Sequence, residues 1–223
     1  MTDSPASRTV LLAGASGLVG REILKGLLAD ATVSEVHTLG RRKLQLEHPK
    51  LTQHMVDFAA LPALPPAQEV YLALGTTIKV AGSQAAFRAV DYEANLAVAQ
   101  AAMAAGAMKA GLVSAMGASA SSSIFYNRTK GELEDALGGL GLATLVIARP
   151  SFLAGDREAL GQPLRGGEKL ALNVSRWLAP LIPDNFKSVP AAAVANALLQ
   201  NLPTATGKKV VVSGEMQKQP AHG

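Results

Sequence analysis

Apolar residues recur along the chain in two alternating rhythms. Short apolar runs bounded by turn residues predict strands at 8–13, 33–39, 53–57, 69–74, 110–114 and 143–148. Between them lie longer segments at helical spacing: 17–29, where Ile23, Leu24, Leu27 and Leu28 fall on one side, then 83–105 and 123–140. Gly40 and Gly75 end the second and fourth strands, and Pro62, Pro65 and Pro66 break the chain before the fourth. Strands that alternate with helices in this way predict an α/β fold with a doubly wound, mostly parallel sheet. There is no internal repeat.

After Pro150 the rhythm loosens. Residues 155–167 read as a charged, Gly-rich loop. Residues 168–182 read as an amphipathic helix, with Leu170, Val174, Trp177, Leu178 and Leu181 on one face. Residues 191–200 predict a further helix and 209–212 a last strand. This second part is too short to hold a core of its own. The expectation is a single domain over 1–223, with the main core at 1–150, a small lobe at 151–206 packed on it, and a final strand at 207–213.

The 48% of residues that are apolar and the 17% that are charged fit a folded protein with a large core, not a disordered one. The absence of cysteine excludes disulfides, thiolate metal sites and a cysteine nucleophile. The four histidines (His37, His48, His54 and His222) show no metal-ligand spacing, so no metal is expected. The N-terminal residues lack a basic and an apolar region of a secretory leader, and no uncharged stretch suits a bilayer. The expected location is the cytoplasm, without membrane insertion. The net charge of +4 raises a nucleic-acid reading, but the basic residues are scattered and only 4% of residues are aromatic, so no nucleic-acid partner is expected.

The turn after the first strand brings in chemistry. Gly14-Ala15-Ser16-Gly17-Leu18-Val19-Gly20 stands between a strand and a helix start. Residues without Cβ let the backbone turn tightly, approach a pyrophosphate and pack the helix on the strand. The amide groups and the positive helix end then face the phosphates. A Gly-rich turn with no ligand is the plain alternative. Past the second strand, where an NAD site usually holds an acid for the adenosine ribose, stand Arg41 and Arg42. A guanidinium fork grips a 2′-phosphate that a carboxylate would repel, and Arg21 is near enough in sequence to join it. NADPH is therefore the expected cofactor. Asp57-Phe58 closes the third strand, where an acid either accepts from the adenine amino group or is simply exposed. Leu74-Gly75-Thr76 closes the fourth, either as a small-residue wall beside the cofactor or as an ordinary turn.

Tyr126 and Lys130 lie four apart in a predicted helix, hence on one face. A phenol holds its proton up to pH about 10, and a nearby ammonium lowers that value. The pair can then give a proton to a carbonyl as hydride arrives, or take one from an alcohol. A surface helix with a partly buried tyrosine is the alternative. Ser114 ends the fifth strand and could bind the substrate oxygen, in competition with Ser119, Ser121, Ser122 and Ser123.

Taken in order, Gly14/Gly17/Gly20, Arg41, Tyr126/Lys130 and Arg149-Pro150 resemble the short-chain dehydrogenase/reductase superfamily, most of all its atypical NAD(P)H-binding branch. Leu74-Gly75-Thr76-Thr77, Val90-Asp91 and Lys130-Gly131-Glu132-Leu133-Glu134 are similar to the oxidoreductase group of the 30 kDa HIV Tat-interacting protein and its bacterial relatives. The resemblance covers most of 8–155. It implies a Rossmann sheet of about seven strands, Tyr126 as acid/base, and Lys130 as the residue that also binds the nicotinamide ribose. It implies that Ser114 joins them and that the segment with Pro150 and Phe152 lines the nicotinamide. The asparagine of the family's catalytic set has no assigned place, although Asn95 lies in the corresponding helix. The implied activity is reduction of a small carbonyl substrate by a monomer or homodimer. A cofactor-binding regulator without turnover is the alternative. A nucleotide-sugar epimerase is disfavoured, because such enzymes usually hold NAD tightly and need a larger substrate lobe.

Overall fold

The computed structural model describes residues 7–151, 153 and 188–218. The strands are β1 (Arg8–Ala13), β2 (Val33–Gly40), β3 (Leu51–Met55), β4 (Glu69–Leu72), β5 (Lys109–Val113), β6 (Thr144–Arg149) and β7 (Gly207–Val212). They form one sheet in the order β3-β2-β1-β4-β5-β6-β7 with every pair parallel. The helices are α1 (Leu18–Ala29), α2 (Ile78–Ala81), α3 (Gln84–Arg88), α4 (Asn95–Ala104), α5 (Phe125–Gly138), α6 (Ala191–Asn201) and α7 (Ser213–Met216). A π turn, Ala89–Ala94, joins α3 to α4.

Both faces of the sheet are covered, and successive residues of β1 show why its run is apolar throughout. Val10 and Leu12 face the layer of α1 and α6, where Ile23, Leu27, Val194 and Leu198 lie. Leu11 and Ala13 face the opposite layer of α4 and α5, with Val98, Ala102, Leu133 and Leu137. The chain builds outward from β1 to β3 on one side, then returns to place β4 on the other. The carboxyl ends of β1 and β4 thus flank the point where the winding reverses, the place in such a sheet where connections part and leave a crevice.

The doubly wound parallel α/β fold is as the periodicity predicts. Boundaries differ. The third strand lies two residues earlier than 53–57, because Leu51 pairs with Val36 and Met55 with Gly40. The single helix expected over 83–105 is α3, the π turn and α4. The expected loop at 155–167 and helix at 168–182 lie outside the described residues. Within the described part of 151–206, α6 packs along α1 and joins a layer of the main core.

Candidate functional site

The turn between β1 and α1 sits beside the exit of β4, and its three glycines differ. Gly14 has φ +90, and a Cβ there would lie 2.3 Å from the carbonyl oxygen of Ala73. A Cβ at Gly20 would lie 2.0 Å from the carbonyl oxygen of Gly14. Gly17 caps α1 in extended backbone, and a Cβ there meets only Gly14 O, at 3.4 Å. The protein's own packing therefore demands the first and third glycines but not the second. No side chain caps the first turn of α1. Ser16, Gly17, Leu18 and Arg21 are exposed, with Arg21 Nε donating to Ser16 O at 3.2 Å, whereas Val19 belongs to the core.

Arg41 and Arg42 follow the last residue of β2 and are exposed. Val56 N donates to Gly40 O at 3.0 Å, which brings the exit of β3 alongside. Asp57 is exposed there and its Oδ1 accepts from Ala59 N, while Phe58 packs against the α4–α5 layer. Leu74, Gly75 and Thr76 leave β4 next to the glycine turn.

Lys130 is buried on α5, and its Nζ lies 2.6 Å from Asp91 Oδ1, from the π turn. Asp91 Oδ2 accepts from the backbone N–H of Thr76 at 2.8 Å. Burial works to lower the Lys130 pKa, but Asp91, then Tyr126 and Glu134, outweigh it and hold the group above the ordinary lysine value. Lys130 is thus an ammonium ion. Tyr126, one turn earlier, is half-buried, with its ring 5.5 Å from that of Phe87.

Ser114 follows β5, as expected, and has a protein partner that the sequence reading did not name. It is buried after β5, and its hydroxyl donates to Glu134 Oε1 at 2.5 Å. Arg149, at the end of β6, donates to both oxygens of the same carboxylate. Ser114, Glu134 and Arg149 form a cluster that ties β5, α5 and β6 together. Ser119 shares a hydrogen bond with Ser121, and Ser122 accepts from Ile124 N. Pro150 is buried and its carbonyl accepts from Met116 N at 2.8 Å. Phe152 lies outside the described residues.

Two further residues shape the site. Gly131 lets the loop after β5 lie on α5, since a Cβ there would be 2.1 Å from the backbone carbon of Ser119. Asp91 is the helix residue that meets Lys130. Asn95 instead turns its Nδ2 to the carbonyls of Leu74, Val90 and Asp91. The signal for Asp91 lay in its position: with Phe87, Asn95 and Val98 it falls on the inward face of an apolar helix, where an unpaired acid does not belong.

Known proteins place this arrangement in a family. The chain is 36% identical to protein HTATIP2 of Rattus norvegicus over 206 residues, covering 88% of this chain and 81% of that protein. It is 36% identical to the mitochondrial protein FMP52 of Candida albicans over 180 residues, covering 76% of each. No family model matches. A short-chain dehydrogenase family protein from Francisella tularensis superposes with a TM-score of 0.68 at 12% identity, over 96% of this chain and 100% of that one. The Bordetella bronchiseptica enzyme WbmG, solved with NAD, does so with a TM-score of 0.65 at 15% identity, over 96% and 76%. The cytoplasmic expectation is overturned, since FMP52 relatives from several fungi are named mitochondrial. It rested on the lack of a secretory leader, which does not distinguish compartments inside a cell. Among the described residues no helix is long and apolar enough to cross a membrane. The chain belongs to the family of HTATIP2 and the FMP52 proteins, and its fold is the one found in short-chain dehydrogenase structures.

Proposed function

We propose that the protein is an NADPH-dependent oxidoreductase that reduces a small carbonyl compound, with Tyr126 as the acid and Lys130 as its electrostatic partner. The observation that carries this reading is the buried Lys130 ammonium, one helical turn from Tyr126. Taking a charge out of water is costly, and such groups gather where chemistry uses them.

The residues present fit a dinucleotide. Gly14 and Gly20 answer to contacts within the protein, whereas Gly17 answers to none, as expected where a pyrophosphate passes close to the backbone. The first turn of α1, with Ser16, Gly17, Leu18 and Arg21, would hold the phosphates. Arg41 and Arg42 would take the 2′-phosphate, Asp57 and Phe58 the adenine side, and Leu74, Gly75 and Thr76 the wall of the crevice. Pro150 would lie toward the nicotinamide, which when bound supplies a hydride. Lys130 has two ammonium protons beyond the one directed at Asp91 and would bind the ribose with them. Tyr126 gives its proton to the carbonyl oxygen as negative charge develops there, and Lys130 stabilises the phenolate left behind.

The test is NADPH oxidation over a panel of aldehydes and ketones with wild type and Tyr126→Phe. On any active substrate the variant should keep cofactor binding and lose about 10²–10⁴-fold in rate. In the same assay Arg41→Ala should weaken NADPH, and not NADH, by about 1.5–3 kcal/mol. A second reading, a cofactor-binding regulator, is favoured by the Ser114 hydroxyl being bound to Glu134. Under it NADPH binds but no substrate shows a Tyr126-dependent rate.

A further inference from the structure

Asp91 is a charge to which the acid/base reading assigns no role of its own. It is an acid on the inward face of an apolar helix, 1% exposed. Its two oxygens reach different elements: Oδ2 accepts from Thr76 N–H at the exit of β4, and Oδ1 faces Lys130 Nζ on α5. A π turn packs an extra residue into one turn of helix and frees carbonyls that need other donors. Asn95 supplies one. Its Nδ2 lies 3.3 Å from Val90 O, 3.2 Å from Asp91 O and 3.1 Å from Leu74 O, so a single buried amide pins the turn to the β4 exit.

An unopposed ammonium next to a phenol draws it toward phenolate. A carboxylate 2.6 Å from the same nitrogen cancels much of that pull. The other charges nearby do not restore it. Glu134 adds negative charge from α5 and is bound by Arg149 of β6, while Arg88 and Glu132 pair with each other. The ammonium coupled to Tyr126 is therefore one that a carboxylate already balances.

We propose that Asp91 is a positioning residue for the acid/base pair: its carboxylate clamps Lys130 between the β4 exit and α5 and balances the ammonium, so that Tyr126 rests with its proton and acts as a donor. This rests on Tyr126 and Lys130 being that pair. It gives the site a direction, because a resting proton donor suits carbonyl reduction better than alcohol oxidation.

The phenol itself reports the outcome without any substrate. The protein has three tyrosines, and subtracting the phenolate absorbance of Tyr126→Phe from that of wild type across a pH titration isolates Tyr126. In Lys130→Met the Tyr126 midpoint should rise. In Asp91→Asn it should fall by about one pH unit or more, while Asp91→Glu, which keeps the charge, should stay close to wild type. Melting curves establish that each variant is folded, and Asp91→Ser replaces Asp91→Asn if the latter is not. An unmoved midpoint in Lys130→Met removes the acid/base reading and the proposal with it. A raised midpoint there, with an unchanged or raised midpoint in Asp91→Asn, leaves the acid/base reading standing and overturns the role of Asp91.

Discussion

Gly17 and Gly20 stand three residues apart and should fail differently when given a side chain. Gly20→Ala puts a carbon 2.0 Å from the carbonyl oxygen of Gly14, an overpacking that should cost about 1–3 kcal/mol of stability. Gly17→Val meets only Gly14 O, at 3.4 Å from its Cβ, so it should melt close to wild type and lose cofactor. Thermal melts beside NADPH titrations check both, and a Gly17→Val protein with normal affinity would show that the turn serves some other end. These glycines were legible because their roles follow from local spacing, as was the Tyr126/Lys130 pair on one helix face. Partners brought together by folding were not. The acceptor for Ser114 is Glu134, 20 residues further on, and no local pattern announces it. Asp91 entered the sequence reading only within the Val90-Asp91 match to the family, without a hint of which cation it would meet.

At the scale of elements, the βαβ order was readable because each strand needs an apolar run and each helix an apolar stripe. Register was less so. Residues 51–55 form β3 rather than 53–57 because pairing with β2 sets the limits, and the π turn has no signature in periodicity. The β2–β3 pair also predicts a pH effect. Burial between these strands holds the His37 imidazole below the ordinary histidine value; Glu35 pulls it up and His54, at 3.1 Å, pushes it down again. The unfolded chain therefore binds more protons than the folded one just below pH about 6.5. His37 contributes its full stability above that value, loses it progressively as pH falls toward the depressed folded value, and levels off below it. Melting temperature followed from neutral to mildly acidic pH should drop in wild type and drop less in His37→Phe. Parallel curves for the two proteins would remove His37 as the cause.

At the scale of the whole molecule, the two faces of the sheet are completed at different points along the chain. The side under α4 and α5 has its helices by Gly138 and its buried strand residues by Ile147 of β6, with only Val210 of β7 added at its edge. The side of α1 needs α6, whose Val194, Ala195, Leu198 and Leu199 fill the layer, and the free edge of β6 needs β7. Division at residue 150, natural from the sequence rhythm, cuts through this core. A fragment of 1–150 should therefore show no cooperative melt by circular dichroism where the full chain does, and a sharp transition in the fragment would prove the α1 side self-sufficient. The same feature bears on synthesis. A nascent chain that has not yet delivered α6 to β1 and α1 carries one nearly complete wall and one that, among the described elements, α1 alone covers, with the edge of β6 unpaired beside it. Contacts with chaperones, or misassembly with a second unfinished copy, should fall on the α1 side until α6 has docked there.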